Sequence, residues 1–166
     1  MAGRLRAGAV CAAGLLAACA GRNQELCPGQ PVGTFDFIVT DLGPPRPVCA
    51  KEPPAGTDVV GAFAGTLAQD AGLGTASLCL EVAKASNYYG RVDAGVFTLT
   101  APSGVAVLGV CGSNCATDSS LDIVGSVGVD GTFSGTLVET FGYASGDCGA
   151  CALPCAANYG LVGTPR

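Results

Sequence analysis

Apolar side chains in this chain recur at every second residue, and no window sustains the three-and-four spacing of a helix. Phe35, Phe37 and Val39 alternate with polar or outward positions, and Leu78, Leu80 and Val82 do the same. A period of two sends alternate side chains to opposite faces, so one face of each segment can line a core. Segments 34–40, 58–68, 76–84, 91–100, 104–111, 121–129 and 132–141 carry such runs. Glycine, asparagine, aspartate and proline punctuate them, as they do between strands. The expected fold is all-β, an antiparallel sandwich or small barrel of about seven strands. Residues 42–56 hold Pro44, Pro45, Pro47, Pro53 and Pro54, and read as an extended loop.

One hairpin carries a register. Asp130-Gly131 lies between two alternating runs, the signal of a two-residue type I′ turn. That turn would set Val129 against Thr132, Val127 against Ser134, Ile123 against Val138 and Val124 against Leu137. It also sets Asp122 opposite Glu139. A second pattern is an internal echo, in which residues 61–69 (GAFAGTLAQ) match 131–139 (GTFSGTLVE) at Gly, Phe, Gly, Thr and Leu. The echo suits either a duplicated half or two strands with the same packing need, since same-face glycines leave room for a ring or a backbone.

The N-terminus reads as an address. Arg4 and Arg6 precede an apolar run from Ala7 to Ala18 that ends in small side chains, the order of an export signal. The run is short of the ~20 apolar residues that a bilayer-spanning helix needs. Its end, Leu16-Ala17-Ala18-Cys19, resembles the lipobox of bacterial lipoproteins. That resemblance implies cleavage before Cys19, diacylglycerol on its sulfur, and membrane attachment through N-terminal acyl chains. Each buried methylene contributes ~0.8 kcal/mol, so two or three chains hold a domain without a spanning segment. By the same resemblance, Ala20 after the cysteine favours the outer membrane. The resulting organisation is a signal over 1–18, a tether over 19–32 and a single β domain over 33–166 with a cysteine-rich C-terminal segment.

Ten cysteines are present, and setting aside Cys11 in the signal and Cys19 at the lipobox leaves Cys27, Cys49, Cys79, Cys111, Cys115, Cys148, Cys151 and Cys155. An even set in an exported chain reads as a framework of four disulfides, with 105 possible connectivities. Cys148-Gly149-Ala150-Cys151 has the C-x-x-C spacing of thiol–disulfide enzymes, but no βαβ pattern precedes it and no helix start follows. Cys111, Cys115, Cys148, Cys151 and Cys155 have permissible zinc spacing, against which stand the oxidising compartment and one thiol too many. Bridges are therefore expected, with no metal and no cofactor.

Other chemistry is sparse. The chain has no histidine, which removes Ser-His-Asp and Cys-His catalysis together with His-ligated metals. Its net charge is −5, with eight Lys and Arg residues in all, and no basic patch suits nucleic acid. Asp122 with Glu139 could form a carboxylate pair for a hydrolase, or, with Asp118, Asn114 and Ser119, a hard-cation site. Tyr88-Tyr89 could stack on a ligand or close one end of the domain. Together these features suggest a lipid-anchored envelope protein with a non-enzymatic binding or structural role, whose partner is an envelope protein or ligand. The enzymatic alternatives are redox through Cys148 and Cys151, or hydrolysis through Asp122 and Glu139.

Overall fold

A computed structural model describes residues 27–42, 59–81, 87–107, 114–149 and 152–166. The period-two pattern is realised as eight antiparallel strands: β1 (Gln30–Asp41), β2 (Val59–Asp70), β3 (Thr75–Leu80), β4 (Tyr88–Asp93), β5 (Val96–Val107), β6 (Ala116–Val127), β7 (Phe133–Ser145) and β8 (Cys155–Pro165). Each pairs with its sequence neighbour, and β8 pairs back onto β1 to close the sheet into a barrel. Closure removes the unpaired edges that an open sheet of this kind would expose.

The two ends of the barrel differ. Residues 71–74, 94–95 and 128–132 make short turns at one end, while the connections at the other span 42–58, 81–87, 108–115 and 146–154. The interior is lined by a cluster of buried apolar side chains, as an eight-stranded barrel allows. Towards the short-turn end, the Phe37 ring lies 4.9 Å from Phe63, 5.5 Å from Phe133 and 5.6 Å from Phe35. Leu67, Leu78, Leu99, Ile123 and Leu161 complete the fully buried layer around them. Two glycines make room for the rings. A Cβ on Gly163 would stand 2.6 Å from the Phe37 ring, and one on Gly125 would stand 2.5 Å from the Phe133 ring. Outward positions carry Asp36, Arg91, Asp93, Thr100, Ser126, Ser134 and Thr136, all exposed. Ile38, Val124 and Val162 are also half-exposed on this outer wall, but the fully buried Phe, Leu and Ile side chains lie inside, whereas a barrel that crosses a bilayer carries its apolar band outside.

Several expectations need correction. The 91–100 run is two strands, broken by a two-residue turn in which Ala94 (φ 48°) and Gly95 (φ 80°) both take the left-handed conformation. That is the type I′ geometry, and it falls here rather than at Asp130-Gly131. At the latter, Gly128 N donates to Thr132 O and Gly131 N to Gly128 O, and of the two only Gly131 has positive φ. This is a type I turn with a glycine bulge, a three-residue loop. The extra loop residue moves the register by one, so Val127 faces Phe133, Ile123 faces Leu137 and Val124 faces Thr136. The part of the 104–111 run that is described continues β5, and residues 155–165 of the expected cysteine-rich segment form β8. β1 likewise starts at Gln30, inside the stretch expected as a tether.

The echo also resolves. Residues 61–69 lie in β2 and 133–139 in β7, which run in opposite directions along the barrel. A duplicated half of four strands would map β2 onto β6, so the match is shared packing. In both segments Phe and Leu face inward, with Gly between them.

Cys27 is bonded to Cys79 and Cys115 to Cys148, with Cα–Cα distances of 5.6 and 4.8 Å. Cys155 is disulfide-bonded as well. Cys19, Cys49, Cys111 and Cys151 lie outside the described residues, as do the signal and most of the proline-rich loop. Bridges of this kind persist in oxidising compartments and point to an extracytoplasmic location.

Candidate functional site

The one-residue change of register decides where the carboxylates go. Shifting a strand pair by one residue moves each side chain's partners to the other face. Glu139 pairs with Leu121, and Asp122 with Val138. Glu139 therefore shares the inward face with Leu137 and Phe133, whereas Asp122 lies outside, where Thr100 Oγ1 donates to its Oδ1 at 2.6 Å. The barrel wall stands between the two carboxylates proposed for hydrolysis. Asp118 is likewise outward and exposed, four residues before Asp122 on the same face of β6, and Ser119 faces the other way. The described residues contain no cluster of three metal-ligating groups.

Glu139 is the acid that the interior accommodates least readily. It is half-buried, and removal from water raises its carboxyl above the ordinary value. Two phenols share its surroundings. Tyr88, at the start of β4, is 5% exposed, and its pKa is raised first by burial and then by the charge of Glu139. Tyr159 on β8 is raised by burial, then by Glu139 and then by Asp41. Asp41 is the β1 residue paired with Tyr159, so barrel closure brings them together. Two carboxylates and two phenols thus converge inside the long-loop half of an otherwise apolar barrel. Glu139 and the two phenols offer acceptors for donor groups, and the carboxylates supply a negative potential inside a low-dielectric wall.

Sequence reading reached only part of this site. In the sequence, Glu139 and Tyr88 stand out for other reasons, the first as half of a cross-strand pair and the second as half of an aromatic pair. The Tyr88-Tyr89 pair is divided by the strand, with Tyr88 inside and Tyr89 46% exposed outside. Asp41 and Tyr159 carry no sequence signal of their own, because their proximity depends on β8 meeting β1. The Cys148 sulfur is bonded to Cys115 rather than to Cys151. In this state the C-x-x-C is not a local redox pair, and Cys115, Cys148 and Cys155 are not free thiolates for zinc.

The raised carboxyl has a sign that can be tested. An acid whose folded pKa lies above its unfolded value favours the fold while protonated, and that contribution is lost as pH rises through the folded value. Glu139→Gln stays neutral throughout. Its melting temperature should match the wild type near pH 4 and exceed it near pH 7, as read by circular dichroism. A gap that closes on going from pH 4 to pH 7 would place the carboxylate in water instead.

Comparison of this chain with protein-family models, curated proteins and solved structures finds no match.

Proposed function

We propose that this chain is a lipid-anchored extracytoplasmic binding protein, held at a membrane through Cys19 with the outer membrane favoured. Its barrel takes a small donor-rich ligand at the long-loop end. The role is binding rather than catalysis. One observation carries the reading: Glu139 is desolvated among Tyr88, Tyr159 and Asp41 in a barrel filled elsewhere by Phe, Leu and Ile. Buried ionisable groups rarely add net stability over apolar residues of similar size. A carboxylate kept there is better explained by a ligand that it recognises, and barrel mouths commonly hold such ligands. Acceptors on the Glu139 carboxylate and the phenols suit a small amine or polyol.

The anchor rests on the four lipobox positions and is supported by the disulfides, which suit an exported chain. A titration calorimetry screen of small amines, amino sugars and polyols tests the site. The best ligand should lose about tenfold or more in affinity with Glu139→Gln, since a hydrogen bond to a charged group contributes ~1.5–3 kcal/mol. Asp122→Asn, on the outer wall, should bind as the wild type does. Equal affinity in all three proteins, or a larger loss with Asp122→Asn, would remove the interior site.

A further inference from the structure

The short-turn end exposes one large aliphatic side chain at each of its corners. Leu73 tips the β2–β3 turn at 76% exposure, and Val129 tips the β6–β7 turn with its side chain wholly in solvent. Val96 opens β5 after the β4–β5 turn, and Val32 sits at a bulge near the start of β1, next to the end of β8. From these four corners and the tether we infer that the short-turn end is seated on a lipid surface, with the long-loop end facing away. The inference rests on the anchor proposed above.

The tether is fastened close to this end. At Gly29 (φ 104°) the chain turns back along the outside of β2 and β3. Ser77 Oγ donates to Pro28 O at 2.8 Å, Cys27 is bonded to Cys79, and its sulfur lies 3.3 Å from Thr66 O. Reach is therefore counted from Cys27. The stretch from Cys19 to Cys27 spans about 27 Å at most. From Thr66 the short-turn end of β2, at Asp70, is ~13 Å along the strand, whereas Val59 is ~23 Å in the other direction. An anchor at Cys19 has slack to lay the near end on a bilayer, but must be almost fully extended to bring the far end there.

Charge selects the kind of surface. Asp70, Asp93 and Asp130 lie among the four corners with exposed Arg91, which pairs with Thr75 after the β2–β3 turn, so acids outnumber the cation there, and two of the acids are held in the turns themselves. Asp70 Oδ1 accepts from Gly72 N and Leu73 N, and Asp130 Oδ1 from Thr132 N. An acidic rim with apolar tips suits a zwitterionic surface and is repelled by an anionic one. Exposed apolar residues also occur at the other end, at Leu42, Val105 and Tyr143. That makes the opposite seating the competitor to be tested.

The chain has no tryptophan, so a single one reports its own position. The lipidated protein, from Cys19 onward, is reconstituted as Val129→Trp or Tyr143→Trp into phosphatidylcholine vesicles carrying brominated acyl chains. Both sites are exposed, so neither change should disturb folding. The expected result is at least twofold quenching and a blue shift for Val129→Trp, while Tyr143→Trp stays open to aqueous iodide. Flotation with the vesicles but with Val129→Trp quenched by iodide, or with Tyr143→Trp quenched by bromine, overturns the seating and leaves the anchor intact. Failure to float, with a mass lacking acyl chains, overturns the anchor and the seating with it.

Discussion

Replacing Phe37 by alanine should remove about 3–5 kcal/mol of stability, close to the whole margin of a weakly stable domain. Phe37 is 1% exposed, and its ring meets three others with centroids 4.9 to 5.6 Å away. Aromatic pairs add ~0.5–1.5 kcal/mol beyond their buried area, so truncation loses more than a transfer term. The gap cannot close easily. Gly163 faces the ring from β8 with no side chain to fall inward, and the wall is fixed by hydrogen bonds on both sides of β1. Phe63→Ala should cost less, because that ring is only partly buried at the margin of the cluster. Urea titration with an unchanged slope would read the difference as stability alone. A loss under about 1.5 kcal/mol for Phe37→Ala would mean that the barrel contracts around the gap, and that its interior is not a fixed cluster of rings.

What could be read from the sequence follows from how local each signal is. The alternation of Phe35, Phe37 and Val39 is a property of one strand, and it survives into the fold with all three buried. The Asp130-Gly131 turn is local too, but two loop types accept the dipeptide. The choice depends on whether Asp130 takes positive φ or instead caps Thr132 N with its carboxylate, which it does at 3.0 Å. One loop residue then decides that Glu139 is inside the barrel and Asp122 outside. Ala94 was harder still, since nothing but its neighbours' pairing forces a non-glycine residue to φ 48°.

β8 was missed for a packing reason. Its inward positions include Ala157 and Gly163, small because the Phe37 and Phe133 rings and the polar group around Glu139 take the space. The large inward residues are reduced to Tyr159 and Leu161, and outward Ala156 and Val162 are apolar too, so the strand's period-two contrast is faint. The candidate site inherits that blindness, because Asp41 and Tyr159 meet only where β8 closes on β1. Sequence patterning thus reports what each strand needs from the core, and closure reports which strands share it.

The second large effect belongs to the bridges. Opening both described disulfides, as Cys27→Ser with Cys79→Ser and Cys115→Ser with Cys148→Ser, should cost about 4–8 kcal/mol in total. The bridges close chain lengths of 52 and 33 residues. On loop entropy alone, these correspond to about 4 and ~3.5 kcal/mol, with the longer loop contributing more. The loops do not overlap in sequence, and the bridges have no side chain in common. Their separate losses should therefore add to within about 0.5 kcal/mol. Their structural consequences should differ, because Cys27–Cys79 holds residues 27–29 against the outside of β2 and β3, while Cys115 is buried at the entry to β6. Losing the first should free the tether and leave the barrel closed, with hydrogen exchange rising at Ser77 and little changed at Ile123. Losing the second should loosen the β6–β7 pair at its long-loop end and raise exchange at Thr117. Equal protection at both sites in both variants would show that the bridges act on the unfolded chain alone, and that the sheet closes around its Phe and Leu core without them.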